Sequence, residues 1–140
     1  DPDRFSRSAL TRLVAEECER VGITAGRQVV FQVQGPEPPI NPDRNLVVFR
    51  LFQEALNNAL KHTRVGSISV NLQFTPSFTL TVLDSGPGFD VSAERASGSG
   101  MEHMRKRAAL INCSFTLISS PAHGTVVSFV DMGTSPVPSP

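Results

Sequence analysis

The chain has 140 residues, of which 39% are hydrophobic and 19% are charged, so it is long enough for one domain with a hydrophobic core. Its 13 Lys and Arg residues balance 13 Asp and Glu residues, and no net field would attract nucleic acid or an anionic membrane. No apolar run approaches the roughly 18 residues that cross a bilayer, and the first residues lack the pattern of a signal peptide. We therefore expect a cytoplasmic fragment without direct membrane contact, whose parent protein can still carry a membrane anchor.

The two cysteines, Cys18 and Cys113, lie in apolar-rich segments and lack the CxxC spacing of a metal or redox site. This pattern favours two buried free thiols, as in a reducing cytosol, over a metal centre. A single disulfide bond between the two cysteines is the alternative that the sequence leaves open.

Periodic patterns predict three helices and five strands. Helical spacing of apolar residues predicts helices over 7–20, from 42 to about 62, and from 101 to about 112. Gly22 is expected to stop the first helix, and Asn41 to cap the second. Short β-rich runs bounded by turn residues predict the strands: 28–33, 67–74, 78–83, 114–119 and 125–131.

The order of these elements predicts the fold class. The predicted order is helix, strand, helix, hairpin, helix, hairpin. It contains no internal repeat, and the hairpins imply antiparallel pairing. We expect an α+β fold, an α/β sandwich in which about three helices pack on one face of a mixed, largely antiparallel sheet. Residues 1–133 are expected to form this one domain, and the proline-rich residues 134–140 a disordered C-terminal tail.

A polar stripe runs along the second predicted helix, opposite an apolar side. Its members recur with 3.6-residue periodicity: Arg50, Glu54, Asn57, Asn58 and Lys61. A solvated face with i,i+4 ion pairs explains most such stripes. Adjacent asparagines are poor helix formers, however, which indicates that something other than helix stability selected them.

Three side chains of this stripe suit phosphoryl transfer. The Glu54 carboxylate can orient or deprotonate a nucleophile, the Asn58 amide oxygen can coordinate Mg²⁺, and the Lys61 ammonium can bind phosphate. Glu54 and Asn58 are one helical turn apart, roughly 6 Å along the axis. The stripe therefore predicts a site for a phosphate-bearing ligand.

Two glycine-bearing segments follow. Asp84 to Gly88 reads Asp-x-Gly-x-Gly directly after an apolar strand, a pattern that is most often a structural turn. In a binding site its glycines would let backbone approach a planar ligand, and Asp84 would accept a hydrogen bond from an exocyclic amine such as that of adenine. Gly98-Ser99-Gly100 opens the third helix, whose free N–H groups suit a phosphate. The segment is neither a Walker loop nor a dinucleotide fingerprint.

Taken together and in this order, the segments resemble those of the GHKL ATPase superfamily, which includes sensor histidine kinases, DNA gyrase and a large heat-shock chaperone. Residues 49–62 resemble the histidine kinase N box, and residues 84–88 the first glycine box. Residues 98–107 resemble the second glycine box of kinases whose response regulators carry a LuxR-type DNA-binding domain. Gly124-Thr125 resembles the final Gly-Thr of the family.

The resemblance implies a Bergerat-type sandwich that holds ATP and Mg²⁺ between the N-box helix and a lid. At the phosphate end it implies a catalytic carboxylate, a Mg²⁺ ligand, contacts to phosphate or ribose, and glycines that close on the phosphates: Glu54, Asn58, Lys61, His62, Gly98 and Gly100, with Met101 beside them. At the adenine end it implies an acceptor for the amino group, a wall and a support: Asp84, Gly86, Gly88 and Thr125. Met101 departs from the usual leucine, and residues 112–113 depart from a typical Gly-Gly turn.

The resemblance also implies an enzyme, an ATP:protein-histidine phosphotransferase. Its γ-phosphoryl group would go to a histidine on the dimerisation domain of the same parent, and from there to a response regulator. An acidic residue commonly follows that histidine in this subclass, but Thr63, Met104 and Gly124 follow the three histidines of this chain. We therefore expect that the chain binds ATP without phosphorylating itself.

Two other functions stay open beside the kinase hypothesis. In one of them, ATP closes a clamp or the domain serves as a scaffold, in either case without phosphoryl transfer. The related anti-sigma-factor kinases phosphorylate serine, and the Met-Arg-Lys-Arg run at 104–107 disfavours them. A nucleic-acid-binding function has little support, because the basic residues are scattered and the chain has no Trp or Tyr for base stacking.

Overall fold

The computed structural model describes residues 8–63, 66–87, 100–122 and 124–133. The helices and strands of these residues are α1 (Leu10–Ala25), β1 (Val29–Gln34), α2 (Pro42–His62), β2 (Ile68–Gln73), β3 (Thr79–Asp84), α3 (Gly100–Leu110), β4 (Cys113–Ser119) and β5 (Thr125–Asp131). None of the helices in these ranges is both long and apolar enough to span a membrane. The predicted C-terminal tail, residues 134–140, lies outside the described residues.

The five strands form one mixed sheet in the order β1-β2-β3-β5-β4. β1 and β2 are parallel, which requires the crossover that α2 supplies, and the other neighbours are antiparallel. In the register of β3 and β5, Asp84 lies opposite Thr125. This architecture confirms the predicted α+β fold.

One face of the sheet packs against all three helices. The core cluster draws residues from each helix and from the central strands, including Val14, Phe52, Val70, Leu80, Met104 and Phe129. Alternate residues of a strand point to opposite faces, so the neighbouring positions lie on the other side of the sheet. Leu83 and Ile118 lie on that second face, where they are 41% and 65% exposed.

α1 begins and ends later than predicted. The spacing predicts a helix over 7–20 with a stop at Gly22, but the helix begins at Leu10, runs through Gly22 to Ala25 and ends at Gly26, whose φ is 63°. The N–H of Arg27 then bonds to the Gly22 carbonyl at 2.9 Å. A glycine inside a helix costs only about 1 kcal/mol relative to alanine, so it does not stop a helix whose apolar face is buried. The other seven predicted elements are present within two residues of their expected ends.

Both ends of α2 are fixed by side chains. Asn41 caps the helix as predicted, since its side chain accepts the N–H of Arg44 at 3.2 Å. At the other end the Arg27 guanidinium donates to the carbonyl oxygen of Thr63 and, at 3.0 Å, to that of Gly66. Carbonyls at a helix C-terminus have no intrahelical partner, so a cation there satisfies them and favours the helix dipole.

Glu37 caps the N-terminus of α1 from a distant part of the chain. Ala9, at the N-cap position, offers no side-chain acceptor. The Glu37 carboxylate instead accepts the N–H groups of Leu10 at 2.7 Å and Thr11 at 2.9 Å, and also the Thr11 hydroxyl. This contact ties the start of α1 to the segment between β1 and α2.

Glu37→Ala is expected to lower the free energy of unfolding by about 1 to 2 kcal/mol, because it leaves N–H groups of the first turn without an acceptor. Glu19→Ala is the matched control. Glu19 is exposed on α1, the helix that Glu37 caps, and its replacement removes the same charge. Urea unfolding followed by circular dichroism measures both variants. Equal midpoints would contradict the capping role.

Candidate functional site

A cleft of about 660 Å³ lies between the C-terminal half of α2, the first turn of α3 and the ends of β3 and β5. Seven of the predicted site residues line it: Glu54, Asn58, His62, Asp84, Gly100, Met101 and Thr125. Apolar side chains complete the lining: Ala55, Ala59, Val82, Met104, Leu117 and Val127. The predicted constellations therefore meet in one place. Gly88 and Gly98 lie outside the described residues.

α2 divides its polar residues between the cleft and the solvent. Glu54, Asn58 and His62 follow one another at i,i+4 spacing, and all three line the cleft. Asn57 and Lys61 each lie one position earlier, on an exposed side of the helix that is not part of the lining. The phosphate contact expected of Lys61 stays a prediction.

Asp84 lies at the end of β3 and is only 4% exposed. Its Oδ1 accepts the N–H of Gly86 at 3.0 Å, so a tight turn fixes the carboxylate. Because an ionised carboxylate has about four lone-pair sites, Asp84 keeps acceptor capacity toward the cleft. Opposite it, the hydroxyls of Thr125 and Ser119 share a hydrogen bond of 2.8 Å. The sequence analysis did not single out Ser119 as a site residue, although the predicted hairpin of β4 and β5 already places it near Thr125.

Two glycines allow close contacts around Asp84. A Cβ at Gly86 would lie 2.2 Å from Oγ1 of Thr63, a fully buried residue that follows α2 directly. A Cβ at Gly124 would lie 2.5 Å from the carbonyl oxygen of Asp84, and the φ of Gly124 is 75°. Gly86 therefore packs the turn after β3 against the end of α2, and it does not itself line the cleft.

Arg107 contacts Glu54 across the gap between α3 and α2. Its Nη1 lies 3.1 Å from Oε2 of Glu54, with the two side chains 52% and 31% exposed. The sequence analysis missed this pair, because the two residues are 53 positions apart and no periodic pattern relates them. The ion pair joins α2, which forms one wall of the cleft, to α3, whose N-terminal turn forms another wall.

The described residues contain no group of three or more His, Cys, Asp or Glu side chains that could hold a metal ion. Cys18 and Cys113 are free and buried, which confirms the prediction of two buried free thiols. Burial, with a smaller contribution from Glu17, raises the pKa of the Cys18 thiol to about 12, and burial also raises the pKa of Cys113. Both thiols therefore stay protonated at neutral pH and behave as apolar core residues.

The chain is similar to known ATPases in sequence. The family described as histidine kinase-, DNA gyrase B- and HSP90-like ATPase matches residues 43–132. The sensor protein VraS of Staphylococcus epidermidis is 33% identical over 99 residues, which are 70% of this chain and 28% of VraS. VraS of Staphylococcus aureus is 32% identical over the same shares of the two chains. The chain thus spans 28% of the length of these curated relatives.

Solved structures share the fold at lower identity. The histidine kinase domain of the Erythrobacter litoralis EL346 blue-light activated histidine kinase has a TM-score of 0.73 and 17% identity, over 88% of this chain and 64% of that chain. Full-length ShkA in complex with AMPPNP has a TM-score of 0.67 and 19% identity, over 97% of this chain and 35% of that chain. The fold is therefore that of histidine kinase ATPase domains.

Gly86→Ala is expected to weaken the binding of an ATP analogue roughly tenfold, because the displaced turn would carry the Asp84 carboxylate out of position. Gly26→Ala is the control. Its added Cβ meets nothing within 4 Å and lies outside the cleft lining, although Gly26 has a φ of 63°, a strain for alanine that Gly86 does not share. Calorimetric titration measures both affinities. If the two variants bound equally well, the contact with Thr63 would not position Asp84.

Proposed function

The chain belongs to the family of histidine kinase-, DNA gyrase B- and HSP90-like ATPases, and on that premise we propose that it binds Mg-ATP and donates the γ-phosphoryl group. The acceptor is a histidine on a separate dimerisation domain of the parent sensor kinase, from which a response regulator receives the group. The observation that carries the proposal is a single cleft that holds a carboxylate and an amide from α2 together with a buried carboxylate from the sheet. The domain acts in the cytoplasm, where ATP is available.

The proposed adenine end of the cleft is formed by β3 and β5. Asp84 accepts a hydrogen bond from the exocyclic amine, and a hydrogen bond to a charged acceptor of this kind contributes about 1.5 to 3 kcal/mol. Val82, Leu117 and Val127 supply apolar lining for the faces of the base. The Thr125 hydroxyl, oriented by its hydrogen bond with Ser119, supports this end.

The proposed phosphate end lies between α2 and the N-terminus of α3. The first N–H groups of α3, which begins at Gly100, are unpaired within the helix and carry a partial positive charge that favours phosphate. Gly100 and Met101 line this part of the cleft. His62, which lines the cleft, adds a contact from α2. The proposed contact of Lys61 requires its long side chain to reach the phosphates from the exposed side of the helix.

The roles proposed for Gly98 at the phosphates and for Gly88 at the adenine fall on residues outside the described ranges. Gly86 supports the adenine end indirectly, because it lets the turn after β3 pack against Thr63.

Asn58 is the proposed Mg²⁺ ligand. Its half-buried amide lines the cleft one turn from Glu54. Mg²⁺ usually keeps several waters and binds one or two protein oxygens together with substrate phosphates, so the absence of a three-residue cluster in the described ranges fits this mode. When bound, the ion neutralises charge on the phosphate oxygens.

Glu54 is the proposed catalytic carboxylate. It orients the imidazole of the incoming histidine and accepts a proton from it. The imidazole nitrogen forms a bond to the γ-phosphorus while the bond from that phosphorus to the β–γ bridging oxygen breaks, and ADP leaves. The response regulators are expected to carry LuxR-type DNA-binding domains, as the form of the second glycine box suggests.

Asp84→Asn is expected to raise the Kd of a non-hydrolysable ATP analogue with Mg²⁺ by about tenfold or more, because the amide places a donor opposite the adenine amino group. The remaining oxygen can still accept the Gly86 N–H, so the turn is retained. Asp43→Asn removes the same charge from the exposed first turn of α2 and is expected to bind normally. Calorimetric titration measures all three chains. If the folded wild type failed to bind, the scaffold function would replace the kinase proposal.

Glu54→Gln is expected to slow phosphoryl transfer to an added histidine-bearing dimerisation domain by roughly a hundredfold, because the proton acceptor is lost. The affinity for ATP should change little. Acid-labile radiolabel on the added domain is the measurement, and Glu19→Gln is the charge-matched control. ATP binding without any label on that domain would favour the clamp, and label on the chain's own histidines would contradict the separate acceptor.

A further inference from the structure

The ion pair between Arg107 and Glu54 reaches into the proposed catalytic site from another element. Nη1 of Arg107 lies 3.1 Å from Oε2 of Glu54. Glu54 lines the cleft, whereas Arg107 lies two turns along α3 from Gly100, which lines the same cleft. The guanidinium therefore connects the carboxylate to the helix whose N-terminus forms the phosphate end.

The position of Arg107 is set by the packing of α3. Met104 and Ala108, on the inner side of the helix, are 1% and 0% exposed. Arg107 lies three residues after Met104 and one before Ala108, so it emerges at the border of the buried face, next to α2. The helix thereby fixes the backbone of Arg107 beside α2, and the ion pair restricts the side chains of both Arg107 and Glu54.

Fold stability is a weak explanation for this pair. The two side chains are 52% and 31% exposed, and exposed ion pairs contribute little to the free energy of unfolding. The consequence for geometry is larger. A planar guanidinium that donates to a carboxylate restricts its rotamers, and a displacement of about 1 Å in a catalytic group can cost roughly a hundredfold in rate.

We propose that Arg107 is a positioning residue that holds the Glu54 carboxylate in its productive orientation and couples that orientation to α3. The proposal rests on the catalytic role given to Glu54 in the proposed function. Arg107 need not contact nucleotide or histidine itself. Its effect is therefore expected on the transfer step rather than on the affinity for ATP.

The test uses the 140-residue chain with the parent's histidine-bearing domain added. Arg107→Gln should lower the rate of phosphoryl transfer at saturating Mg-ATP by roughly tenfold or more, with the Kd of the ATP analogue changed by less than about threefold. Arg107→Lys keeps the charge and should recover part of the rate. Lys106→Gln removes a neighbouring exposed charge from α3 and should transfer at the wild-type rate. In a Glu54→Gln background, Arg107→Gln should have no further effect.

Three outcomes would overturn the positioning role while leaving the kinase proposal in place. Arg107→Gln could behave like Lys106→Gln, it could transfer faster than the wild type, or it could lose ATP affinity and thermal stability in step with the rate. The last result would identify a structural contact. A wild type that binds ATP but transfers no phosphoryl group would instead refute the proposed function, and the positioning role would fail with it.

Discussion

The packing of α2 on the sheet is the constraint on which the rest of the structure depends. Its buried residues, including Phe52, fix the rotation of the helix about its axis, and rotation decides which polar side chains reach the cleft. Glu54 and Asn58 lie beside the buried face of the helix and line the cleft, whereas Lys61 lies on the exposed side. A rotation by a single residue, about 100°, would replace the carboxylate with a different side chain. The apolar face thus sets the chemistry of the polar face.

The register of β3 and β5 imposes a second, independent constraint. It places Asp84 beside Thr125 at one end of the cleft. A shift of one residue would turn Asp84 to the opposite face of the sheet, since strand side chains alternate. Gly124 supports this register, because any side chain there would collide with the Asp84 carbonyl. The helix and the strand pair therefore each fix one polar wall, and the cleft between them follows from their packing.

The sequence predicts those parts of the structure that rest on local periodicity. Seven elements and the polar stripe of α2 fall into this group, because burial repeats every two or 3.6 residues. The fold class was predicted from the order of the elements, and the site residues outside the stripe were expected from the glycine-bearing segments and from the family resemblance. The end of α1 was wrong, since Gly22 has no local feature that separates a helical glycine from a stop. Glu37 and Arg107 were missed for another reason. Each contacts a residue that only the tertiary fold brings near, so no spacing in the sequence indicates the pair.

The N-terminal segment supports the cleft although the family match begins only at residue 43. Arg27 donates to the carbonyl of Thr63, Thr63 packs against Gly86, and the N–H of Gly86 donates to Asp84. This series of direct contacts leads from the turn after α1 to the buried carboxylate of the cleft. The turn between α1 and β1 therefore supports the same site through direct contacts, even though the residues that line the cleft all come from later in the chain.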